Sequence, residues 1–367
     1  MPGHSRATFV PIASGHVVAR LMILWLLACP SHGAADDSSK PAQRLHMDCV
    51  GSGEPVVILD SGLGGSALEW TFVKENLRSL TRVCSFDRAG YGGSNMGPLP
   101  RTSSRIANEL YLHLDAAGMA PPFVLAGHSF GGYNMQLFAR RYPFLVAGLA
   151  LIDASHPDQV ERLLAPPLGL LTAPSSRWGV VQFREPPPPS PLLPEPLRRL
   201  IADHSRRWKT RRAIAGELLA FRDSALELKL ARPHADLPLL VITRGKTEGQ
   251  VDEKRLLLER VWLELQTELA ESSASSAHLL AHNAGHNVHI EQPELVAFGI
   301  ALLVERYRRG TWPQDVGSTF TATPRNRRIL EDATWLKDNL DIDPGPLPAY
   351  LANRQSDVAV VRRPGAP

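Results

Sequence analysis

Only three cysteines occur in the 367 residues, at positions 29, 49 and 84, and none sits in a Cys-x-x-Cys or histidine-rich setting. No metal site is therefore expected. An excess of one charge is also missing. Lys and Arg total 40 against 37 Asp and Glu, and a net charge of +3 is too small at this length to argue for nucleic acid. There is no internal repeat and no long basic block. There is no phosphate loop ending in Lys-Ser/Thr and no full dinucleotide fingerprint, so no cofactor is expected. Long apolar runs are absent as well. Leu21–Ala28, after Arg20, is too short to span a bilayer. With the small residues Gly33, Ala34 and Ala35 behind it, it reads as an export signal within residues 1–39, the alternative being a disordered start. Leu26-Leu27-Ala28-Cys29 loosely resembles a lipoprotein box, which would allow a lipid anchor at Cys29. A periplasmic or secreted location is expected, with the cytoplasm as the alternative and no stable membrane span in the mature chain.

What the chain does contain is an alternation of short apolar runs and amphipathic segments. Residues 44–50 alternate loosely and read as a strand. Residues 55–60, 82–87, 123–126, 147–152, 237–243 and 278–282 read as further strands, most of them near-continuous apolar runs of the kind buried on both faces. Between them, Trp70, Val73, Leu77 and Leu80 repeat at helical spacing, as do Ile106, Leu110 and Leu114. So do Met135, Phe138, Ala139 and Tyr142, and later Leu258, Trp262, Leu265 and Leu269. Ser66 and Glu69 form a capping-box pair, and a last helix is expected from Pro293 to about Arg308. This order of elements predicts an α/β fold with a doubly wound, mainly parallel sheet. Cys49 and Cys84 fall in two of the strand runs, where a disulfide and two buried free thiols are both open readings.

The alternation breaks between about 156 and 235. Pro186 to Pro189 interrupt regular structure, and residues 195–230 read as one or two helices rich in arginine. These arginines, among them Arg198, Arg199, Arg206, Arg207, Arg211 and Arg212, read as a solvated face rather than an anion-binding surface. Residues 310–367 are rich in Pro, Arg and Asp and are expected to form a partly disordered extension.

The chemistry gathers at the ends of the strand runs. Phe123 to Ala126 lead into Gly127-His128-Ser129-Phe130-Gly131, the Gly-x-Ser-x-Gly pattern of a strained strand-to-helix turn that lifts a serine hydroxyl clear of the sheet. Ser61-Gly62-Leu63-Gly64 precedes it and fits one side of an oxyanion hole. Asp87-Arg88-Ala89-Gly90-Tyr91-Gly92-Gly93-Ser94 and Gly285-His286-Asn287-Val288-His289 complete the set.

Four motifs in this order resemble the α/β-hydrolase fold superfamily, most closely its serine-nucleophile, single-domain members with a helical lid. The resemblance implies an eight-stranded, mainly parallel sheet over residues 40–309, with a lid at about 156–235. Position by position it implies Ser129 as nucleophile, His286 as general base, and the amides of Leu63 and Phe130 as oxyanion donors. Ser61 stands where His-Gly is more usual in the family, but the donor there is a backbone N–H. His289 is the rival base, and His128 matches a packed structural residue. The triad acid is sought at the end of the strand after the elbow helix, at Asp153, or in the loop after the next strand, at Glu248 or Asp252. Asp153 is favoured because residues 244–252 lack a compact Gly-x-x-Asp; its plainer reading is a strand-end cap. The activity implied is that of a carboxylesterase-like serine hydrolase acting on an ester-like bond of a small or medium organic substrate. The alternatives are a C–C hydrolase, a lactonase, a cofactor-free haloperoxidase, or a non-catalytic binding protein on the same fold. A serine at position 129 argues against dehalogenase and epoxide hydrolase chemistry, which needs a carboxylate nucleophile.

Overall fold

The first strand, β1 (His46–Val50), keeps part of its surface in water, whereas β2 (Val56–Asp60), β3 (Val83–Asp87) and β4 (Phe123–His128) are buried at every residue. β5 (Val146–Ile152), β6 (Leu239–Arg244) and β7 (Ser276–Ala281) are nearly so. Strands buried on both faces must be covered on both, and helices supply the cover. These features come from a computed structural model that describes residues 44–164, 188–247 and 252–310. The expected export segment, the C-terminal extension and Glu248 lie outside the described residues.

Alternation within each strand divides the core. Val57 and Leu59 face one side, with Val124, Ala126, Ile152 and Ile242, against α1 (Thr71–Leu77) and α10 (Pro293–Arg309). Val56 and Ile58 face the other side, with Leu125, Leu151 and Val241. There they meet α2 (Ser103–Ala116), α3 (Phe130–Arg141) and the end of α8 (Glu253–Glu271). Each large side chain so buried contributes about 1.5–3 kcal/mol relative to exposure, so the two faces carry most of the fold's stability.

The seven strands run in the order β1-β3-β2-β4-β5-β6-β7. β1 is antiparallel to β3, and every other pair is parallel. The family resemblance implied eight strands; among the described residues there are seven, the first being β1, which follows directly on the residues outside the description. A second correction concerns residues 195–230, expected to hold one or two helices. They form three: α5 (Glu195–Arg206), α6 (Trp208–Leu219) and α7 (Phe221–Leu230). Arg207 turns extended at ψ 137° and Ala220 leaves the helical region at ψ 7°, so single residues break a pattern that reads as continuous. These helices and α4 (Gln159–Leu164) belong to the insertion between β5 and β6, and α9 (Val288–Glu291) is one turn before α10. No helix among the described residues is long and apolar enough to cross a membrane.

Cys49 and Cys84 stand directly opposite each other on β1 and β3, with Cα atoms 4.1 Å apart, and their sulfurs are joined. The bridge closes a loop of 35 residues that contains β2 and α1. Tethering a loop of that length in the unfolded chain is worth about 2–4 kcal/mol. A Cys49→Ala/Cys84→Ala variant should unfold at lower urea concentration, its unfolding free energy reduced by about 2–4 kcal/mol. Peptide mapping without reductant should recover residues 49 and 84 in one linked species, and recovery of two free thiols would remove the basis of the expectation.

Candidate active site

Parallel strands send their carboxyl ends to one edge of the sheet, where open α/β sheets form their crevices. Register aligns the ends here. Asp60 on β2 pairs with Gly127 on β4, His128 pairs with Ile152 on β5, and Ile152 pairs with Ile242 on β6. Ser129 and Asp153 each come one residue beyond a strand end, so the two turns lie side by side.

Both turns are strained. Ser129 has φ 50° and ψ −120°, and Asp153 has φ 42°, a region that non-glycine residues avoid. Such conformations cost on the order of 1–3 kcal/mol and persist only where surroundings enforce them. The surroundings are explicit. Ser129 N donates to Ile152 O at 3.2 Å, Gly132 N and Ser155 N donate to Ser129 O at 2.9 and 3.0 Å, and Asp153 N donates to Ile242 O at 2.7 Å. Glycine is required at 131, because a Cβ there would lie 2.5 Å from the Asp60 carbonyl oxygen.

Asp153 is fully buried. Its Oδ1 accepts from Trp262 Nε1 at 2.7 Å and from Arg244 N at 3.2 Å. Its Oδ2 accepts from an Arg244 guanidinium nitrogen at 2.7 Å and from His286 Nδ1 at 2.6 Å. Burial pushes the carboxyl pKa up, but the His286 bond, the Arg244 charge and the Trp262 bond outweigh it and hold the group well below the usual carboxylate range. An ionised carboxylate only accepts, so His286 carries its proton on Nδ1, and Nε2 is left to accept. That Nε2 lies 3.0 Å from Ser129 Oγ. His286 keeps 36% of its side-chain surface exposed.

Two neighbours fix the histidine from behind. His128 Nε2–H donates to the His286 carbonyl at 2.8 Å, and Trp262 meets the His286 ring edge-on at 6.3 Å. His128 is buried, and burial together with the nearby His289 and His286 holds its pKa far below the usual histidine value, so it is neutral. His289, the rival base, is completely buried between the rings of Trp70 and His128. Burial lowers its pKa to about 3. The hydroxyl of Ser129 is met by His286 instead. Asp252, one of the rival acids, caps α8 by accepting from Arg255 N at 2.7 Å. Glu248 lies outside the described residues. The loop at 61–64 lies against Ser129: a Cβ on Gly62 would stand 3.1 Å from the Ser129 Cβ. Leu63 is the next residue, and Phe130 opens α3 directly after Ser129.

Sequence reasoning missed two partners of Asp153, Trp262 and Arg244. Trp262 was readable only as one apolar position of a helix, and Arg244 only as the start of a loop. Nothing local to either residue points to a carboxylate about a hundred residues earlier in the chain. One group among the described residues has metal-ligand types close together: His156, Asp158 and Glu268, with ligand atoms within 4.8 Å of one another. Lys229 already stands 2.6 Å from Asp158, and Arg162 stands 2.5 Å from Glu268, so cationic side chains serve these carboxylates.

Comparison with known proteins agrees with this architecture. A profile described as "Alpha/beta hydrolase family" matches residues 56–297. The uncharacterized protein YqjL of Bacillus subtilis is 25% identical over 251 residues, covering 68% of this chain and 83% of that one. Among solved structures, the enol-lactonase of Burkholderia xenovorans superposes with a TM-score of 0.50 at 21% identity, over 71% of this chain and 96% of the other. A loop variant of a haloalkane dehalogenase from Bradyrhizobium elkanii does so with a TM-score of 0.52 at 16% identity, over 72% and 94%. The seven-stranded sheet, the strained serine turn at its carboxyl edge and the extent of the profile match together place the chain in the alpha/beta hydrolase family.

Proposed function

We propose that this protein is a carboxylesterase-like serine hydrolase, cleaving an ester-like bond of a small or medium organic substrate through an acyl-enzyme. The observation that carries the reading is the continuous chain Ser129 Oγ–His286 Nε2 at 3.0 Å and His286 Nδ1–Asp153 Oδ2 at 2.6 Å. Ser129 attacks the carbonyl carbon while His286 Nε2 takes its proton. The carbonyl oxygen becomes an oxyanion between the amides of Leu63 and Phe130. His286 then returns the proton to the departing alcohol, leaving the acyl group on Ser129. Water enters, gives a proton to His286, and releases the acid and the serine hydroxyl. Asp153 keeps His286 in the tautomer that can accept, and offsets the charge of the imidazolium. His128 and Trp262 hold the ring in place.

Several other features support the same reading. The helices α5 to α7 act as a lid within residues 156–235 of a hydrolase domain spanning 40–309. Phe221 on α7 stacks on Phe130 at 5.6 Å, which brings the insertion next to the serine turn. The bridge between Cys49 and Cys84 suits an oxidising compartment, in keeping with an export signal before residue 40. Lactone opening is the second reading, because it uses the same steps on a cyclic ester. A hydroxyl at position 129, rather than a carboxylate, speaks against the alkyl-enzyme chemistry of the dehalogenase likeness.

Ser129→Ala should abolish hydrolysis of p-nitrophenyl butyrate and labelling by a fluorophosphonate, with circular dichroism unchanged. Labelling that survives in this variant would place the nucleophile elsewhere. Asp153→Asn should lower kcat about 10³–10⁴-fold, because the wrong histidine tautomer is then favoured. It should also lower stability. A carboxylate whose folded pKa is depressed stabilises the fold above its unfolded pKa of about 3.9 and loses that contribution as pH falls. The parent should therefore have the higher urea midpoint at neutral pH, and its lead over Asp153→Asn should shrink progressively as pH falls below about 4. A gap that widens in acid would contradict the ionised state assigned to Asp153.

A further inference from the structure

A second buried charge lies on the other side of Ser129. Arg88, at the carboxyl end of β3, is 3% exposed, and Asp60 and Glu217 beside it are 0% exposed. One Arg88 terminal nitrogen donates to Asp60 Oδ1 at 2.7 Å and to the Ser61 carbonyl at 2.6 Å. The other donates to the Gly62 carbonyl at 2.9 Å and to Glu217 Oε2 at 2.9 Å, while Nε donates to Glu217 Oε1 at 2.8 Å. The Tyr91 hydroxyl donates to Glu217 Oε2 at 2.6 Å and accepts from Gly64 N at 3.3 Å. Residues 61, 62 and 64 are thus held by two side chains, Arg88 and Tyr91, and both are bound to one carboxylate. That carboxylate belongs to α6, in the insertion.

The bond to Gly62 bears on the reaction directly. The Gly62–Leu63 peptide is trans and planar, so its C=O and N–H point in opposite directions. A guanidinium that fixes the Gly62 oxygen therefore fixes the direction of the Leu63 N–H. It also withdraws charge from that peptide, which makes the N–H a stronger donor. α6 is seated by further bonds to the turn after β3, the segment that also carries Arg88 and Tyr91: Lys209 donates to the carbonyls of Gly92 and Ser94, each at 2.9 Å, and Thr210 to that of Gly90 at 3.2 Å.

We infer that Glu217 and Arg88 are positioning residues that couple the seating of the inserted helix α6 to the aim of the Leu63 oxyanion donor. The coupling rests on the oxyanion role given to Leu63 above. When α6 is seated, Glu217 holds Arg88 and Tyr91, and the peptide points at the reacting carbonyl. When α6 lifts, Arg88 keeps Asp60 but loses its second anchor, and the loop at 61–64 loses its Tyr91 support.

The test uses the full-length protein and three variants. Glu217→Gln keeps the volume and leaves Arg88 paired with Asp60; Tyr91→Phe removes one bond, and Arg88→Lys removes the forked geometry. Backbone hydrogen exchange over residues 61–66 should rise at least tenfold in Glu217→Gln. With p-nitrophenyl butyrate, kcat should fall about tenfold in Glu217→Gln and about 100-fold in Arg88→Lys, the scale of one misaimed oxyanion donor, with KM within twofold of the parent. Inhibition by a phenylboronic acid, which forms a tetrahedral adduct on the serine, should weaken in step with kcat. Unchanged exchange at 61–66 in both Glu217→Gln and Tyr91→Phe would overturn the coupling. So would a rise in KM with kcat intact. If the parent protein neither turns over esters nor takes a fluorophosphonate, the hydrolase reading fails, and the exchange result alone decides whether the insertion holds the loop.

Discussion

Asp153 is charged where no water can reach it, and the carboxyl edge of the sheet is arranged around that fact. An isolated buried carboxylate would take up a proton or unfold its surroundings. This one accepts four hydrogen bonds, from an indole, a guanidinium, a backbone amide and an imidazole. Only the imidazole leads onward to the serine. The other three belong to residues whose service is to keep the charge ionised: Arg244 continues β6, and Trp262 reaches in from α8 beneath the Arg244 guanidinium, 4.6 Å from its ring centre. A charge satisfied in this way is a rigid reference point. It allows Asp153 to stand at a positive φ and still fix the histidine.

Arg88 is the counterpart on the opposite flank. There the buried charge is positive, and its partners are two carboxylates and two backbone carbonyls. The two centres do different work around one strained residue. In the proposed mechanism the Asp153 centre fixes the direction from which a proton leaves Ser129, and the Arg88 centre fixes the loop that faces the developing oxyanion. Both are assembled from the chain's own residues. Preorganisation of this kind matters because dipoles already aligned do not have to reorient when charge appears. The strain at Ser129 is stored between the two centres and is enforced by backbone bonds to β5 and to Ser155.

Legibility in the sequence followed the range of the interactions. The strand runs were readable because burial on both faces leaves a continuous apolar signature within five or six residues. The elbow was readable because a tight strand-to-helix turn demands small residues at fixed offsets from the serine. His286 was readable through a motif that begins in the turn after β7 and runs into α9. The other partners of the two buried charges were not. Glu217 is one of several acids on an arginine-rich stretch, and its pairing with Arg88 spans 129 residues. It looks like the others until the helix is seen to be seated with that face inward. The same blindness left residues 195–230 as one or two expected helices where three form, because the break at Ala220 coincides with the packing of Phe221 against Phe130 and Tyr133 and not with a local breaker.

The fold itself leaves the chemistry open, since the same sheet superposes on an enol-lactonase and on a haloalkane dehalogenase about equally well. What separates such chemistries is the atom presented at the elbow and the charges that flank it. A hydroxyl there is a poor nucleophile until a base shares its proton, so in the proposed mechanism the orientation of His286, and through it the ionisation of Asp153, is a condition of activity. A hydroxyl also creates a tetrahedral oxyanion that needs donors, which makes the aim of the Gly62–Leu63 peptide a second condition. Both conditions are written in buried polar contacts rather than in the sheet. In the coupling proposed above the insertion contributes to the second through Glu217, whose carboxylate ties α6 to Arg88 and Tyr91.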